Sequence, residues 1–540
     1  FDFDVSWPMR AMPLQSSDKS CPSALPHGRI QRYIPKTLPS QLQADAVAGR
    51  VLMNTISPMC ACASVSHHWA LDTRKKTLKL PLMYGLPLAA ICALPHYGFA
   101  NETAPPQDTA NSGSVWETPF FDEAKVSVLN RNYYFNRDFR HGGANPSGTN
   151  QFEPTSERHG YRNEWAHGIV VDVQSGYTSG VVGFGVDAQA LVGVRLDSSG
   201  ARTGTGLVPV GKDGEPAHTW GEVSGAVKAK VGKTVLKYGT QMPNVPVLSV
   251  HNARLLPATV SGVSMESNDI DQLNLQAAWL THTNAIDGTN HDDRFNTDYG
   301  LAIQAKRAGY VGGTYKWSPD TQASVYVGHL KDVWNQYYVQ GNHTWRFDNN
   351  TFVKLNGVGY WNRDTGKSLA GSIDSKLLGT NLTYGNATHA ISAGYQQVFG
   401  DEPLDYIGFR TIGGNVNFAN IGNVSPFAEA NEKSWQLRYD LDFKALGVPG
   451  LSFTGRYIKG FDMDNSGSSN QVYQNALKGY TYRDGDSHWE RDFELKYVFQ
   501  SGAAKGLSLR LRQATLRAST GYRYNNMDEV RIIAEYPWSL

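Results

Sequence analysis

Between Ser434 and Phe443 the chain reads SWQLRYDLDF, a strict alternation of apolar and polar residues. On an extended backbone Trp435, Leu437, Tyr439, Leu441 and Phe443 share one face, and Gln436, Arg438, Asp440 and Asp442 share the other. DFELKYVF (492–499) and LSLRLRQ (507–513) repeat the pattern. From residue 124 to the end, about eighteen or nineteen such segments follow one another between turn clusters. No apolar run approaches the ~18 residues of a spanning helix. A strand with two unlike faces needs two unlike surroundings. Soluble sandwiches meet that need too, but here the apolar faces repeatedly carry Trp, Tyr and Phe near strand ends, as interfacial girdles do. Lipid offers no partner for a free N–H or C=O, so such a sheet must close, with an even strand number in bacterial proteins. The expected fold is all-β, a transmembrane antiparallel β-barrel. Alternate side chains would meet hydrocarbon and their neighbours would meet water inside.

Composition agrees. Gly is 54 of 540 residues and aromatics are 11 %, while charged residues are only 18 % against a typical ~25 %. A mean hydropathy of −0.41 excludes a helical membrane protein. A 40 % hydrophobic content with net charge +1 excludes a disordered chain.

The first hundred residues follow other rules. They hold all four cysteines (Cys21, Cys60, Cys62, Cys92) and ten Lys/Arg against five Asp/Glu. Arg74, Lys75, Lys76 and Lys79 precede an apolar stretch from Leu80 to Leu94, and Gly98-Phe99-Ala100 places small residues at a cleavage site. Residues 74–100 read as a signal peptide, 101–123 as a short lead-in, and 124–540 as the barrel. The chain starts with Phe, and residues 1–73 show no periodicity, so they read as a non-native, disordered extension. With no cysteine beyond Cys92, the exported part has no disulfide framework.

The end of the chain, VRIIAEYPWSL, places apolar residues at every second position back from Leu540. Bacterial barrels close with such a strand, which makes the barrel-assembly machinery an expected partner. Other motifs carry less. GFGVDA (183–188) looks like a dinucleotide fingerprint, but alternating strand signals follow it where that motif needs a helix. Cys60 and Cys62 with His67 and His68 offer one loose ligand pair, short of a zinc site. Asp287, Asp292 and Asp293 lack the ordered spacing of a calcium loop and read as a solvated loop. No G-x-S-x-G elbow occurs. No metal, no cofactor and no nucleic acid partner is expected.

Four stretches together resemble the OprD family of substrate-specific outer-membrane porins: NRNYYFNRDF (130–139), EWAHGIVVDVQSGYTSGVVGFGVDAQALVGVRLD (164–197), KVGKTVLKYGTQMPNVPVLSVHNARLLPATVSG (230–262) and SWQLRYDLDFKALGVPGLSFTGRYIKG (434–460). The resemblance implies eighteen strands, an inward-folded third extracellular loop that narrows the channel, and loose trimers. It places Arg254 on the constriction loop. It places Arg438, Lys496, Arg510, Arg512 and Arg531 on a basic ladder that guides a substrate carboxylate, and Asp401 on another inward loop as the opposing charge. Arg456 joins the ladder by parity. The chain departs from the family at Leu540 and at His251 and Ala253.

Side-chain chemistry leads to the same wall. A mid-depth Arg facing lipid costs about 2–4 kcal/mol, so cations in the middle of these strands must face the lumen. The expected function is passive diffusion of small carboxylate-containing nutrients (amino acids, short peptides, aromatic acids) across the bacterial outer membrane. The surroundings would be outer-membrane lipid and lipopolysaccharide. The rival readings are a barrel-borne serine peptidase, which no local motif supports, and a plugged structural barrel.

Overall fold

A computed structural model describes residues 119–540, except 290, 292–293, 301–302, 411, 477–481, 483–484 and 540. The extension 1–73, the signal segment 74–100 and the lead-in up to residue 118 lie outside the described residues. A single helical turn, Pro119–Asp122, leads into the first strand.

Eighteen strands form one antiparallel sheet in chain order. They are β1 (Lys125–Phe139), β2 (Tyr161–Gln174), β3 (Gly183–Asp197), β4 (Thr219–Val231), β5 (Thr234–Gln241), β6 (Thr259–Ser267), β7 (Leu273–Asn284), β8 (Ala308–Ser318) and β9 (Thr321–Leu330). Then come β10 (Trp334–Arg346), β11 (Phe352–Asp364), β12 (Asp374–Gly385), β13 (His389–Phe399), β14 (Lys433–Asp442), β15 (Leu451–Phe461), β16 (Ser487–Val498), β17 (Ser508–Ala518) and β18 (Met527–Ser539). β18 pairs with β1 from Ser127↔Ser539 to Phe139↔Met527, so the sheet has no free edge. The expected antiparallel barrel is what the chain forms.

Parity sets the two faces. On β14, Leu437 is 53 % exposed and faces out, whereas its neighbour Gln436 is 7 % exposed and faces in. Outward aromatics form two belts. Trp165, Trp279, Tyr337, Trp361, Trp435 and Trp489 lie toward one rim; Phe184, Trp317, Trp345, Tyr384, Tyr497 and Tyr536 lie toward the other. Aliphatic residues such as Val339, Leu382, Leu495 and Ile532 fill the band between them.

Connections also alternate. One rim carries short turns, such as Gly232-Lys233 between β4 and β5. Gly232 adopts φ +58, and a Cβ there would lie 2.8 Å from Asp269 Oδ1, the oxygen that accepts from the Lys233 backbone N–H at 2.6 Å. The opposite rim carries long connections, including residues 140–160, 198–218, 242–258, 285–307, 400–432 and 462–486.

Replacing an outward residue at mid-strand tests the facing directly. Leu437→Arg is expected to lower stability by about 2–4 kcal/mol, measured by reversible denaturant unfolding in lipid vesicles.

Candidate permeation site

Three of the long connections fold into the barrel. Inside, Val245, Val247, Leu248, Phe295, Tyr299, Leu404, Phe409, Phe418 and Ala428 from those segments pack on inward residues of β6–β13, among them Val260, Leu280, Tyr326, Tyr338, Tyr360, Leu377 and Val398. Here the inner neighbours meet folded chain, where alternation alone would put water. A small sheet of residues 296–297, 407–409 and 412–413 ties two of the inward segments together. Asp405, fully buried at the junction, accepts from the Tyr299 and Tyr406 backbone N–H groups at 3.0 and 2.8 Å and from the Tyr473 hydroxyl at 3.0 Å. Burial pushes its carboxyl up to about 6.

The third segment crosses to the other wall. Leu255 and Leu256 dock on Tyr133, Ala166, Val170, Leu191 and Trp220. Arg131 of β1 fastens it, donating to the Arg254 carbonyl at 2.6 Å and to the Leu255 carbonyl and Asn252 Oδ1 at 3.2 Å each, while its Nε meets Glu535 at 2.8 Å. Arg254 itself donates to the Thr205 carbonyl at 3.0 Å. Its guanidinium and that of Arg531 lie 5.2 and 4.6 Å from the centre of the Phe135 ring. Burial and the neighbouring Arg254, Arg531 and Arg131 charges hold the His251 imidazole well below its ordinary pKa, so it stays neutral.

These segments leave a cavity of about 910 Å³. Its charged lining is Arg137, Arg162, Arg254, Arg410, Arg512, Arg523 and Arg531 together with Asp287 and Asp298. Arg523 sits 3.8 Å from the Tyr299 ring centre and donates to Asp298 Oδ2 at 3.0 Å.

The cations singled out in the sequence occupy one inner wall. Lys496 is the register partner of Arg510, Arg512 of Arg531, and Arg438 of Arg456. Like charges directly opposite destabilise a sheet, and carboxylates interleave them. Arg438 forks onto Asp440 with both bonds at 2.7 Å, and Arg456 Nε donates to Asp492 at 3.1 Å. Arg512 and Arg510 share Glu494, and Arg531 holds Glu529, which also takes Arg137. Lys496 has no carboxylate in ion-pair contact among the described residues. Arg254, Arg512 and Arg531 line the cavity; Lys496 and Arg510 lie beyond it toward the short-turn rim.

Asp401 does not reach this site. It is exposed, accepts from Asn431 at 3.2 Å, and is absent from the cavity lining. The reason is local. Gly400 turns the chain at φ +129, leaving residue 401 at the rim, and the chain enters the barrel only with Leu404 and Asp405. Among the described residues, Asp287 and Asp298 are the carboxylates in the cavity lining. Sequence reasoning also missed Arg131, Arg137 and Glu529. In β1 the inward face reads Arg131, Tyr133, Phe135, Arg137, and its mixed polarity hides the parity.

The family model described as outer membrane porin, OprD family, matches residues 118–540. The chain is 36 % identical to Porin D of Pseudomonas aeruginosa over 427 residues, covering 78 % of this chain and 92 % of that protein. It is 32 % identical to the porin-like protein GalP of Pseudomonas putida, covering 78 % and 93 %. The crystal structure of Pseudomonas aeruginosa OpdK with vanillate superposes with a TM-score of 0.67 at 31 % identity, covering 78 % of this chain and all (100 %) of that one.

Two measurements probe the inward segments. Arg131→Met removes the donor to two carbonyls, a loss of about 1–3 kcal/mol of anchoring, and single-channel recording is expected to show a larger, noisier open current. The Asp405 carboxyl sits above its ordinary 3.8, so its contribution to packing is greatest below about 4 and declines as pH rises to about 6. Hydrogen exchange at the Tyr299 and Tyr406 amides, corrected for intrinsic rates, is therefore expected to show more protection at pH 5 than at pH 7.5. Asp405→Asn should flatten that difference.

Proposed function

Because the chain belongs to the OprD family of outer-membrane porins, we propose that it selects small carboxylate-bearing solutes: amino acids, short peptides and aromatic acids. The observation that carries this reading is the lattice of Arg438, Arg456, Lys496, Arg510, Arg512 and Arg531 on one inner wall, continued at the cavity by Arg254. OpdK, a solved relative, was crystallised with vanillate, an aromatic carboxylate.

A carboxylate passing the wall exchanges water for a succession of guanidinium contacts. At ~4 Å a unit pair is worth about 1 kcal/mol at the dielectric constant of water and about 4 kcal/mol at an effective value of 20. Interleaved acids matter as much as the bases. They offset part of each cation's pull, so no single site becomes a trap, and permeation needs binding weak enough to leave. Neighbouring Arg and Lys residues on the register let one site release the carboxylate as the next takes it. On this reading the ammonium group of a zwitterion is held at the cavity by Asp287 and Asp298, which line it beside Arg410 and Arg523, in the role that the family resemblance implied for Asp401. Selection is thus sieving by the docked segments plus guidance by the charged wall, with no covalent step. On this reading residues 74–100 direct export and are removed, and the β18 strand is the assembly signal.

Reconstituted channels should show saturable, carboxylate-dependent block of current. Arg510→Ala is expected to raise the half-blocking concentration about tenfold, a change of about 1.4 kcal/mol. An unchanged half-block would remove the cationic wall from the mechanism.

A further inference from the structure

On the lipid side of the barrel, near the rim of long connections, four consecutive strands place Trp435, Lys459, Trp489 and Arg517 opposite one another in register. One step toward mid-membrane the next row reads Leu437, Tyr457, Arg491 and Thr515. The facing is unambiguous. Ile458, Glu490 and Asp492 are buried on the inner side, so Lys459 and Arg491, of opposite parity, point out. The Trp435 and Tyr457 rings lie 5.4 Å apart and the Tyr457 and Trp489 rings 5.7 Å apart, a continuous aromatic belt of the kind that sits at headgroup level.

Cations at this depth need a counter-charge. Arg517 has one, forking onto both oxygens of Asp528 at 3.0 Å. Lys459 donates to the Ser487 hydroxyl at 2.8 Å, and Arg491 rests 5.1 Å from the Phe493 ring centre with its Nη2 3.5 Å from Thr515 Oγ1. Neither meets a carboxylate among the described residues. The Lys459 and Arg491 backbones are diagonal neighbours across β15 and β16, about 7–8 Å apart, close enough for both side chains to reach one anionic group or two joined ones. A guanidinium fork matches phosphate oxygens, and an ammonium adds a mobile point charge. Long basic side chains extend toward the headgroup layer while their stems stay in the apolar zone.

We propose that Lys459 and Arg491, framed by Trp435, Tyr457 and Trp489, bind the phosphate of an anionic outer-leaflet lipid, the phosphorylated glucosamine headgroup of lipopolysaccharide. This rests on the long connections being the extracellular ones, as in outer-membrane barrels generally, and not on the identity of the permeating solute. The site fixes one lipid against β14–β17, and with it the barrel's level in the membrane.

Native mass spectrometry of the folded protein in detergent, titrated with bisphosphorylated lipid A or phosphatidylethanolamine, tests it. Lipid A is expected to bind at least about tenfold more tightly than phosphatidylethanolamine, and the Lys459→Gln/Arg491→Gln double variant to lose about tenfold in lipid A affinity. Lys376→Gln, which removes an outward cation already paired with Asp374, is expected to lose none. Equal binding of the two lipids by the wild-type protein, or wild-type affinity in the double variant, overturns the proposal. So does displacement of lipid A by excess inorganic phosphate, which would mark a bare anion site. Single-channel conductance and carboxylate block are expected to be unchanged in the double variant, so this inference and the channel reading fail by separate measurements.

Discussion

Inside a bilayer a backbone N–H or C=O without a partner costs several kcal/mol, and closure from β18 back to β1 removes every edge at which such a group would remain. That ring of hydrogen bonds is what the other features presuppose. Once the sheet is sealed, each strand must sort its side chains by parity, one set to hydrocarbon and the other inward. A charge placed inward by parity then lies in a confined volume, where it acts on a solute far more strongly than at an open surface. The inward segments likewise exist only because the sheet encloses space for them.

The barrel was legible because its physics is periodic and local. SWQLRYDLDF, DFELKYVF and LSLRLRQ show in their own letters which residues face out, and the structure places Leu437, Leu495 and Leu511 there. The orientation of Arg438, Lys496, Arg510 and Arg512 followed from the same alternation. What the sequence concealed was every feature that depends on how a connection folds back. Inward Tyr338, Tyr360 and Leu377 look like failures of alternation until the segments that cover them are in place. Tyr133 and Phe135 share a face with Arg131 and Arg137 for the same reason: two meet the docked loop and the others meet its carbonyls or the cavity.

Asp401 shows how narrow the margin is. Residues 401 and 405 lie on one connection, but the turn at Gly400 leaves the first exposed at the rim and the fourth after it buried in a junction of three segments. The turn is local, but the packing that buries Asp405 comes from two other connections, through Tyr299 and Tyr473. The pairing of the ladder cations is partly nonlocal as well. Arg438 and Arg531 pair two residues away on their own strands, but Glu494 serves Arg510 and Arg512, and Glu529 takes Arg137, because neighbouring strands share register.

The interior is divided by circumference. From β6 to β13 the inner face is greasy and covered, and from β14 round to β1 it is ionic. The covered arc is held by apolar contact together with buried side-chain hydrogen bonds to the inward segments, such as those from Gln336 and Asn362 to the Asp405 carbonyl. The two arcs thus answer to different forces: on one, close packing against folded chain fixes the shape of the tube, and on the other, alternating guanidinium and carboxylate groups set its charge.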